Sequence, residues 1–439
     1  MRLRLNALVE RIRASLFFLP MAAVVVAMAA GGFMLAVDRH LGDQAGDLPL
    51  GLVSTVDGAR ELLSTIAGAT ISFAGIAFSV SLLIIQQASS QYSPRVVHTL
   101  FRDPFNKRVM GLVVGTFTFC LVVLRSVRGP LEEGGAPIVP SVSVAVAVVL
   151  GIATILAIVA FINHSAHSMD VSEILDRIRV DAIHAVEETW RVHDAGRPGP
   201  DDTAAGPSAV HSVVIRFTRT GWIQQIDFDA LLETIERGST LRLDTASGRY
   251  AIAGTVLGRV EPPPSDPEVV ERAVNAALDT GTTRTMQQDA AYGLRQLADV
   301  ALKALSPGIN DPTTAQDAIF HSGAVLGEML RRDPPQPTIT GRDGRRLIVA
   351  PQSTPEGLVH LAFAETRRAA SPHPAVCIYL LEALERIAES LEARGLGERA
   401  VPLAQEAALV LEGCRAEGLL PADLLEIEHV YRQRFADAS

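Results

Sequence analysis

The stretch ASLFFLPMAAVVVAMAAGGFMLAV, residues 14–37, contains 24 consecutive residues without a charge. At a rise of about 1.5 Å per residue, a helix of this length crosses the roughly 30 Å hydrocarbon core of a bilayer. An arginine-rich segment, residues 2–13, precedes it, so the alternative interpretation is a cleaved signal peptide. The apolar stretch is about twice as long as an ordinary signal core, and more such stretches follow it. We therefore predict a membrane span.

Three further uncharged stretches extend this pattern along the first part of the chain. They predict spans at about residues 62–85, 109–124 and 141–163, which makes residues 1–168 a transmembrane domain. The third span has 16 residues and would need Arg108 and Arg125 to extend their side chains to the two interfaces. The sequence therefore predicts a four-helix membrane domain embedded in a lipid bilayer.

Charge sets the orientation and the character of the remaining chain. Lys and Arg number four before the first span and four between the second and third, against two in each other loop. By the positive-inside rule we expect both termini in the cytoplasm and the protein in the inner membrane. The chain carries 12 Lys and Arg against 9 Asp and Glu up to residue 168, and 27 against 40 beyond it. An acidic, water-facing second half disfavours nucleic acid as a partner.

Small and polar residues recur at alternating three- and four-residue steps along one face of the second predicted span, interrupted only by Leu82. This pattern has two interpretations, either close helix packing or the lining of a water-filled path in a homo-oligomer. The predicted spans contain no Asp, Glu, Lys or Arg, which disfavours a proton relay or a voltage sensor. The seam consists of Thr65, Gly68, Ser72, Gly75, Ser79 and Gln86.

Metal ligation has weak support in the sequence. His164 and His167 are one helical turn apart at the end of the fourth span, but no nearby carboxylate or thiol completes a metal site. They are either interfacial polar residues or a pair that titrates or binds a metal. The three cysteines lack zinc-type spacing. We predict neither a metal nor another cofactor.

The second half of the chain begins with a helix and a linker, residues 169–209, in which Gly, Pro, Asp and Ala replace the apolar pattern near its end. Short alternating stretches at residues 210–261 predict a small β module, with a helix at 229–237 that Asp229 would cap. The glycine-bounded segments 220–227 and 248–257 resemble the barrel-sandwich of biotinyl and lipoyl carrier domains. No lysine stands at the hairpin tip, so the resemblance concerns the scaffold.

From residue 266 to residue 439 the pattern predicts a helical cytoplasmic domain, with helices at 266–280, 285–305, 312–331, 354–369, 374–393, 398–417 and 421–435 and a strand near 346–350. The predicted fold is therefore a mostly α membrane protein, with four transmembrane helices followed by an α+β region.

The densest polar motif of the chain lies within this helical domain. Amide, carboxylate and guanidinium groups are costly to bury without partners, so the motif indicates either an internal network or a ligand site. The loop has a simple structural explanation, since Asp311 and Pro312 are typical of a helix start. The other interpretation is a site where that helix start and an arginine meet a small anion or a cytoplasmic protein. The residues concerned are Arg284, Gln288, Asp289, Arg295, Gln296, Asp299, Ser306, Asn310 and Asp311.

Four strings in this order carry a family resemblance: SFAGIAFS at 72–79, GWIQQID at 221–227, RQLAD at 295–299 and ALSPGINDP at 304–312. Together they resemble the bacterial membrane-protein family known as domain of unknown function 2254, which implies the membrane topology and no activity. The sequence matches no Walker loop, nucleophile elbow or zinc-hydrolase helix, so we predict a protein that is not an enzyme. The first hypothesis is a homo-oligomeric channel-like protein gated by its cytoplasmic half. The alternative is a non-conducting scaffold or sensor that recruits a cytoplasmic partner.

Overall fold

A computed structural model describes residues 18–41, 55–91, 104–127, 139–167, 170–193, 212–341, 343–350 and 353–435. Within this described chain the fold divides into two compact units, with the boundary between Asp170 and Val171. The first unit contains the membrane helices, and the second contains the sheets and the remaining helices.

The membrane unit contains four helices with segments long and apolar enough to cross a bilayer, of 23, 29, 20 and 25 residues. This confirms the predicted fold class, and it lengthens the short third span because the helix begins five residues earlier than predicted. Pro104 suits a first helical position, and Lys107 and Arg108 continue the helix towards the interface. The helices are α1 (Phe18–Leu41), α2 (Val56–Gln91), α3 (Pro104–Leu124) and α4 (Ser141–His167).

Helices α1 and α3 run parallel and approach closely along small residues. A Cβ built on Gly111 would lie 3.5 Å from Cβ of Ala23, and one on Gly115 would lie 3.9 Å from Cβ of Ala27. Gly31 permits the closest approach, since a Cβ there would lie 2.8 Å from Cγ1 of Val122. Small residues four apart on both helices allow this backbone proximity, which maximises van der Waals contact in lipid.

The ends of α1 and α4 are joined by a carboxylate. Asp38 accepts hydrogen bonds from the backbone N–H groups of Val142 (2.9 Å) and Ser143 (3.1 Å) and from the Ser143 hydroxyl. These N–H groups belong to the first turn of α4, where the helix has no internal acceptor for them and the dipole favours a negative charge. Asp38 thus caps a helix that follows it by about a hundred residues.

Among the described residues, the second unit begins with a helix and continues into three sheets, the smallest of which pairs Arg191–Val192 with Arg332–Asp333. A five-stranded sheet contains, in spatial order, Val213–Arg216, Val256–Glu261, Thr240–Leu243, Arg346–Val349 and Thr338–Thr340, and a three-stranded sheet contains Tyr250–Ala251, Gly221–Ile226 and Leu278–Gly281. Their shared core includes Ile215, Ile223, Leu241 and Leu347. The elements in chain order are α5 (Val171–Thr189), β1 (Arg191–Val192), β2 (Val213–Arg216), β3 (Gly221–Ile226), α6 (Phe228–Thr234), β4 (Thr240–Leu243), β5 (Tyr250–Ala251), β6 (Val256–Glu261), α7 (Pro267–Ala276), β7 (Leu278–Gly281), α8 (Ala291–Ala304), α9 (Pro312–Arg331), β8 (Arg332–Asp333), β9 (Thr338–Thr340) and β10 (Arg346–Val349).

The structure corrects the predicted extent of the β module. Strand β7 pairs with β3, and β10 pairs in parallel with β4, so both sheets include strands from outside residues 210–261. A parallel pair requires a long crossover, and the local alternation of a four-residue strand does not reveal its distant partner. The helix cap is also corrected: the Asp227 side chain accepts from the Ala230 N–H at 3.0 Å, and Asp229 lies in the first turn.

The last part of the second unit is helical, close to the predicted boundaries. Helix α8 begins at Ala291, six residues later than predicted, because residues 284–289 form a separate segment whose side chains bond elsewhere. The predicted helix at 354–369 is interrupted by a π-helical turn at His360–Ala364. The remaining elements are α10 (Pro355–Val359), α11 (Glu365–Ala370), α12 (Pro374–Glu392), a 3₁₀ turn (Gly397–Ala400), α13 (Val401–Ala416) and α14 (Pro421–Phe435).

Candidate functional site

The polar seam of α2 lies on a face of the helix that the described chain leaves open. All six seam residues are exposed. The opposite face of α2 packs into the membrane unit, where Ala59, Leu63 and Ala77 are fully buried. If the seam serves helix packing, its partner lies outside the described part of this chain.

The hydroxyl groups of the seam bond to their own helix. Oγ1 of Thr65 donates to the Glu61 carbonyl at 2.8 Å, Ser72 to Gly68 at 2.8 Å and Ser79 to Gly75 at 2.9 Å. Each hydroxyl uses its one hydrogen in this way, while its oxygen keeps lone pairs for another donor or a cation. A Cβ on Gly68 or Gly75 would have no atom within 4 Å. The seam is therefore an open strip of oxygen atoms and bare backbone.

The C-terminal end of α4 carries the predicted histidine pair. The His164 ring contacts Phe105, with 4.6 Å between the ring centroids. The side chain of His167, the second histidine of the predicted pair, lies outside the described residues. Within the described ranges no group of three His, Cys, Asp or Glu residues could hold a metal ion.

In the second unit, Arg284 and Asp289 form a buried ion pair. Nε of Arg284 lies 2.5 Å from one carboxylate oxygen of Asp289, and Nη2 lies 3.1 Å from the other. The guanidinium carbon also lies 5.1 Å from the centre of the Tyr292 ring and 5.9 Å from that of Trp222. This bidentate, ring-flanked geometry fixes both side chains.

The backbone around Asp289 is shaped to its carboxylate. Gly248 has a φ of +79°, and a Cβ there would lie 2.1 Å from a carboxylate oxygen of Asp289. Burial raises the pKa of the Asp289 carboxyl above its usual value, and the hydrogen bond and charge of Arg284 offset this only in part. The site is closed and internally paired, so it has the geometry of a structural network.

Residues 283–289, called here the clamp segment, are joined to β3 by amide side chains. Gln288 accepts from the N–H of Ile226 at 2.8 Å and donates to its carbonyl at 3.1 Å, as a neighbouring strand would. Gln225 donates to Gln287 at 2.6 Å, and Gln224 donates to the Thr283 carbonyl at 2.7 Å. These bonds account for the polar character of the segment.

The other residues of the predicted motif have different partners. Arg295 pairs with Asp299 at 2.9 Å and with Glu365 of α11 at 2.7 Å, while Gln296 is buried. The pair between Arg295 and Glu365 joins α8 to α11. The nine predicted residues thus fall into three separate places.

The loop before α9 matches the structural explanation of its sequence. Asp311 accepts from the N–H of Thr314 at 3.1 Å and from its hydroxyl at 2.6 Å, which places the carboxylate where an anion would bind. Asn310 has a φ of +48°, a left-handed conformation that Asn adopts more readily than most residues. The Ser306 hydroxyl bonds to the Lys303 carbonyl at 2.6 Å.

A cluster that the sequence reasoning missed joins three distant residues. Asp333 lies 2.8 Å from Nδ1 of His193 and 2.5 Å from Nη2 of Arg399, at the end of the β1–β8 pair. Burial would raise the pKa of Asp333, but hydrogen bonds from Arg399 and His193 outweigh it and lower the pKa. The three positions have no common spacing, so no local signal could have revealed them.

Four described helices that are long and apolar enough to cross a bilayer, followed by an α+β unit, define a multi-pass membrane protein. The family model described as Predicted membrane protein (DUF2254) matches residues 13–386. The chain belongs to this family, which confirms the resemblance drawn from its sequence strings.

Two mycobacterial proteins are similar to this chain along most of its length. They are Uncharacterized protein Rv1290c of Mycobacterium tuberculosis and Uncharacterized protein Mb1321c of Mycobacterium bovis. Each is 29% identical over 393 residues, covering 88% of this chain and 74% of the relative. No solved structure matches the chain.

Proposed function

We propose that the protein is a homo-oligomeric, channel-like protein of the inner membrane, in which the seam of α2 faces its counterparts around a central path. The observation that supports the proposal is the exposure of all six seam residues, while the opposite face of the same helix is buried. Ile76 and Phe78 are 60% and 52% exposed, so large apolar side chains accompany the seam on the open part of α2.

The chemistry of the seam suits small hydrated species. From Thr65 to Ser79 the helix rises about 21 Å, and along that length hydroxyl oxygens alternate with bare glycine backbone. Hydroxyl oxygens can hydrate a path without fixed charge. In this proposal both termini face the cytoplasm, and the second unit regulates the path without catalysing a reaction.

The test is ion flux through liposomes that contain the purified full chain, measured separately with K⁺, Na⁺ and Cl⁻. Ser72→Leu or Ser79→Leu should strongly reduce the flux, because a leucine replaces an oxygen with a bulky apolar group. Ala69→Leu is the matched control, since Ala69 is an exposed small residue of α2 outside the seam. If liposomes that contain the native protein pass no ions, or if all three variants lose flux equally, the proposal is contradicted.

A non-conducting scaffold is the second candidate, and the C-terminal helices favour it. Leu420, Leu425 and Val401 are 70%, 61% and 54% exposed, so each offers an apolar side chain for contact with a partner. Replacing Leu420 and Leu425 with Ser should abolish recruitment of a cytoplasmic partner in pull-down experiments and leave liposome flux unchanged.

A further inference from the structure

The membrane unit contains a groove that the seam does not involve. It has a volume of about 610 Å³ and is bordered by α1, α3 and α4. Small residues line much of it, including Ala22, Ala30, Gly111 and Gly115, and larger side chains such as Phe119 form its walls. Its volume lies in the range of ordinary ligand pockets, roughly 300–1,000 Å³.

The dimensions of the groove suit a single hydrocarbon chain. Its lining on α1 runs from Leu19 to Met34, which corresponds to about 22 Å along the helix axis. One leaflet of a bilayer contributes roughly 15 Å of hydrocarbon, half of the bilayer core. The groove is therefore longer than one leaflet is thick, so an acyl chain that enters at one membrane face can lie in the groove along the whole length of the acyl chain.

The charge at one end of the groove identifies the headgroup. Arg108 is the one charged side chain among the described residues that line the groove, and it lies three residues after the start of the apolar span Phe105–Leu124, from which a long side chain reaches the interface. Arg108 is exposed, and within the described ranges no hydrogen bond or ion pair engages it. Neighbouring Lys107 points differently, since it is buried. A lipid phosphate would complement the Arg108 guanidinium, and it does so most strongly in a headgroup that has no cation of its own to neutralise the phosphate.

We infer that the groove between α1, α3 and α4 binds one anionic glycerophospholipid, with an acyl chain along the small residues and the phosphate at Arg108. Lipid tails are as apolar as the protein surface, so burial of the chain gives little preference by itself. Selectivity then comes from the headgroup. One exposed ion pair contributes up to about 1 kcal/mol, which corresponds to roughly fivefold tighter binding.

The test compares two lipids with identical acyl chains. The purified full chain in a non-ionic detergent is incubated with palmitoyl-oleoyl phosphatidylglycerol or phosphatidylcholine, and native mass spectrometry counts the lipids that each chain retains. We expect one retained phosphatidylglycerol per chain, bound about fivefold more tightly than phosphatidylcholine. Equal retention of the two lipids would overturn the inference.

Matched variants test the headgroup contact. Arg108→Gln should reduce phosphatidylglycerol binding to the level of phosphatidylcholine, and Arg108→Lys should keep most of the preference. Arg125→Gln is the control, because Arg125 is an exposed arginine just beyond the opposite end of α3 and does not line the groove. If Arg125→Gln has the same effect as Arg108→Gln, the lipid is a general surface lipid and the inference is wrong.

A second pair of variants tests the groove itself. Val26 lines the groove and is 66% exposed, whereas its neighbour Val25 is 57% exposed and lies outside the lining. Val26→Trp should fill the groove and remove the retained lipid, and Val25→Trp should not. Retention of the lipid by both variants would overturn the inference. Liposome flux is a separate readout, so failure of this inference is distinguishable from failure of the channel proposal.

Discussion

The seam of α2 and the clamp segment are both rows of small or polar side chains, but they differ in exposure and in the partners of their polar groups. In the clamp segment, Arg284 and Asp289 pair with each other, and Gln288 bonds to the backbone of Ile226 in β3. In the seam, each hydroxyl bonds to its own helix and leaves its outer side open. Rows of small or polar side chains therefore indicate groups that need partners for hydrogen bonding or packing. The structure shows whether those partners lie within the same chain.

The strongest test of this contrast is to break the buried ion pair. The Asp289 side chain is only 7% exposed, so Arg284→Gln leaves a buried carboxylate without its paired cation. Loss of one partner of a buried pair costs about 3–5 kcal/mol, so we expect a large decrease in the unfolding temperature. Both tryptophans of the chain, Trp190 and Trp222, lie in this unit, so tryptophan fluorescence follows its unfolding in the full chain.

Arg415→Gln is the control for that measurement. Arg415 also pairs with a carboxylate, Glu428 at 2.6 Å, but its side chain is 55% exposed. Exposed pairs contribute within about 1 kcal/mol, so the unfolding temperature should change little. Similar losses in the two variants would show that the clamp segment is not a closed network.

Adjacent glycines of α1 sharpen the comparison within the membrane unit. Gly31→Ala would place a Cβ 2.8 Å from Val122, whereas a Cβ on Gly32 would meet no atom within 4 Å. Overpacking of this kind costs about 1–3 kcal/mol, so Gly31→Ala should unfold at lower temperature. Gly32→Ala should be neutral or slightly stabilising, because alanine favours the helix.

The readout for this pair is the alkylation of Cys120 on heating, followed by peptide mass spectrometry. Cys120 is fully buried in the core of the membrane unit, so its labelling reports loss of that packing. Equal behaviour of the two variants would mean that α1 and α3 are not in close contact.

The smallest expected effect is a pH dependence at Asp289. Its pKa is raised above the usual 3.8 because burial disfavours the charged form. The folded state therefore holds this proton more tightly than the unfolded state, and the stability that the protonated carboxyl contributes is lost as pH rises through the raised pKa. Asp289→Asn cannot titrate. The stability of the native protein relative to this variant should be greater at pH 4.5 than at pH 7, as measured by tryptophan fluorescence. An unchanged difference would contradict the raised pKa.

Much of the fold was predictable because its signals are local. The apolar stretches predicted four membrane helices, and Asp311 with Pro312 predicted the start of α9 where the structure has it. The pairing of β4 with β10 was not predictable, since about a hundred residues separate the two strands. The same holds for the cluster of His193, Asp333 and Arg399.

The candidate sites show the same difference between local signals, which the sequence contains, and long-range contacts, which it does not reveal. Spacing placed the seam residues on one face of α2, but burial, which depends on the other three helices, determines that this face is open. Spacing also grouped Arg284, Arg295 and Asp311, although each has different partners in the structure. The sequence also contains a local signal for close packing of α3. Gly111 and Gly115 are four residues apart, a spacing typical of close helix contact in membranes.

The Asp38 cap has a consequence for biogenesis. The carboxylate belongs to the first membrane helix, but its N–H partners lie in the fourth, 104 and 105 residues later. At a synthesis rate of about 5–20 residues per second, the ribosome needs roughly 5–20 seconds to deliver them. During that interval Asp38 lacks these partners, so the contact between α1 and α4 forms only after the start of α4 has been synthesised.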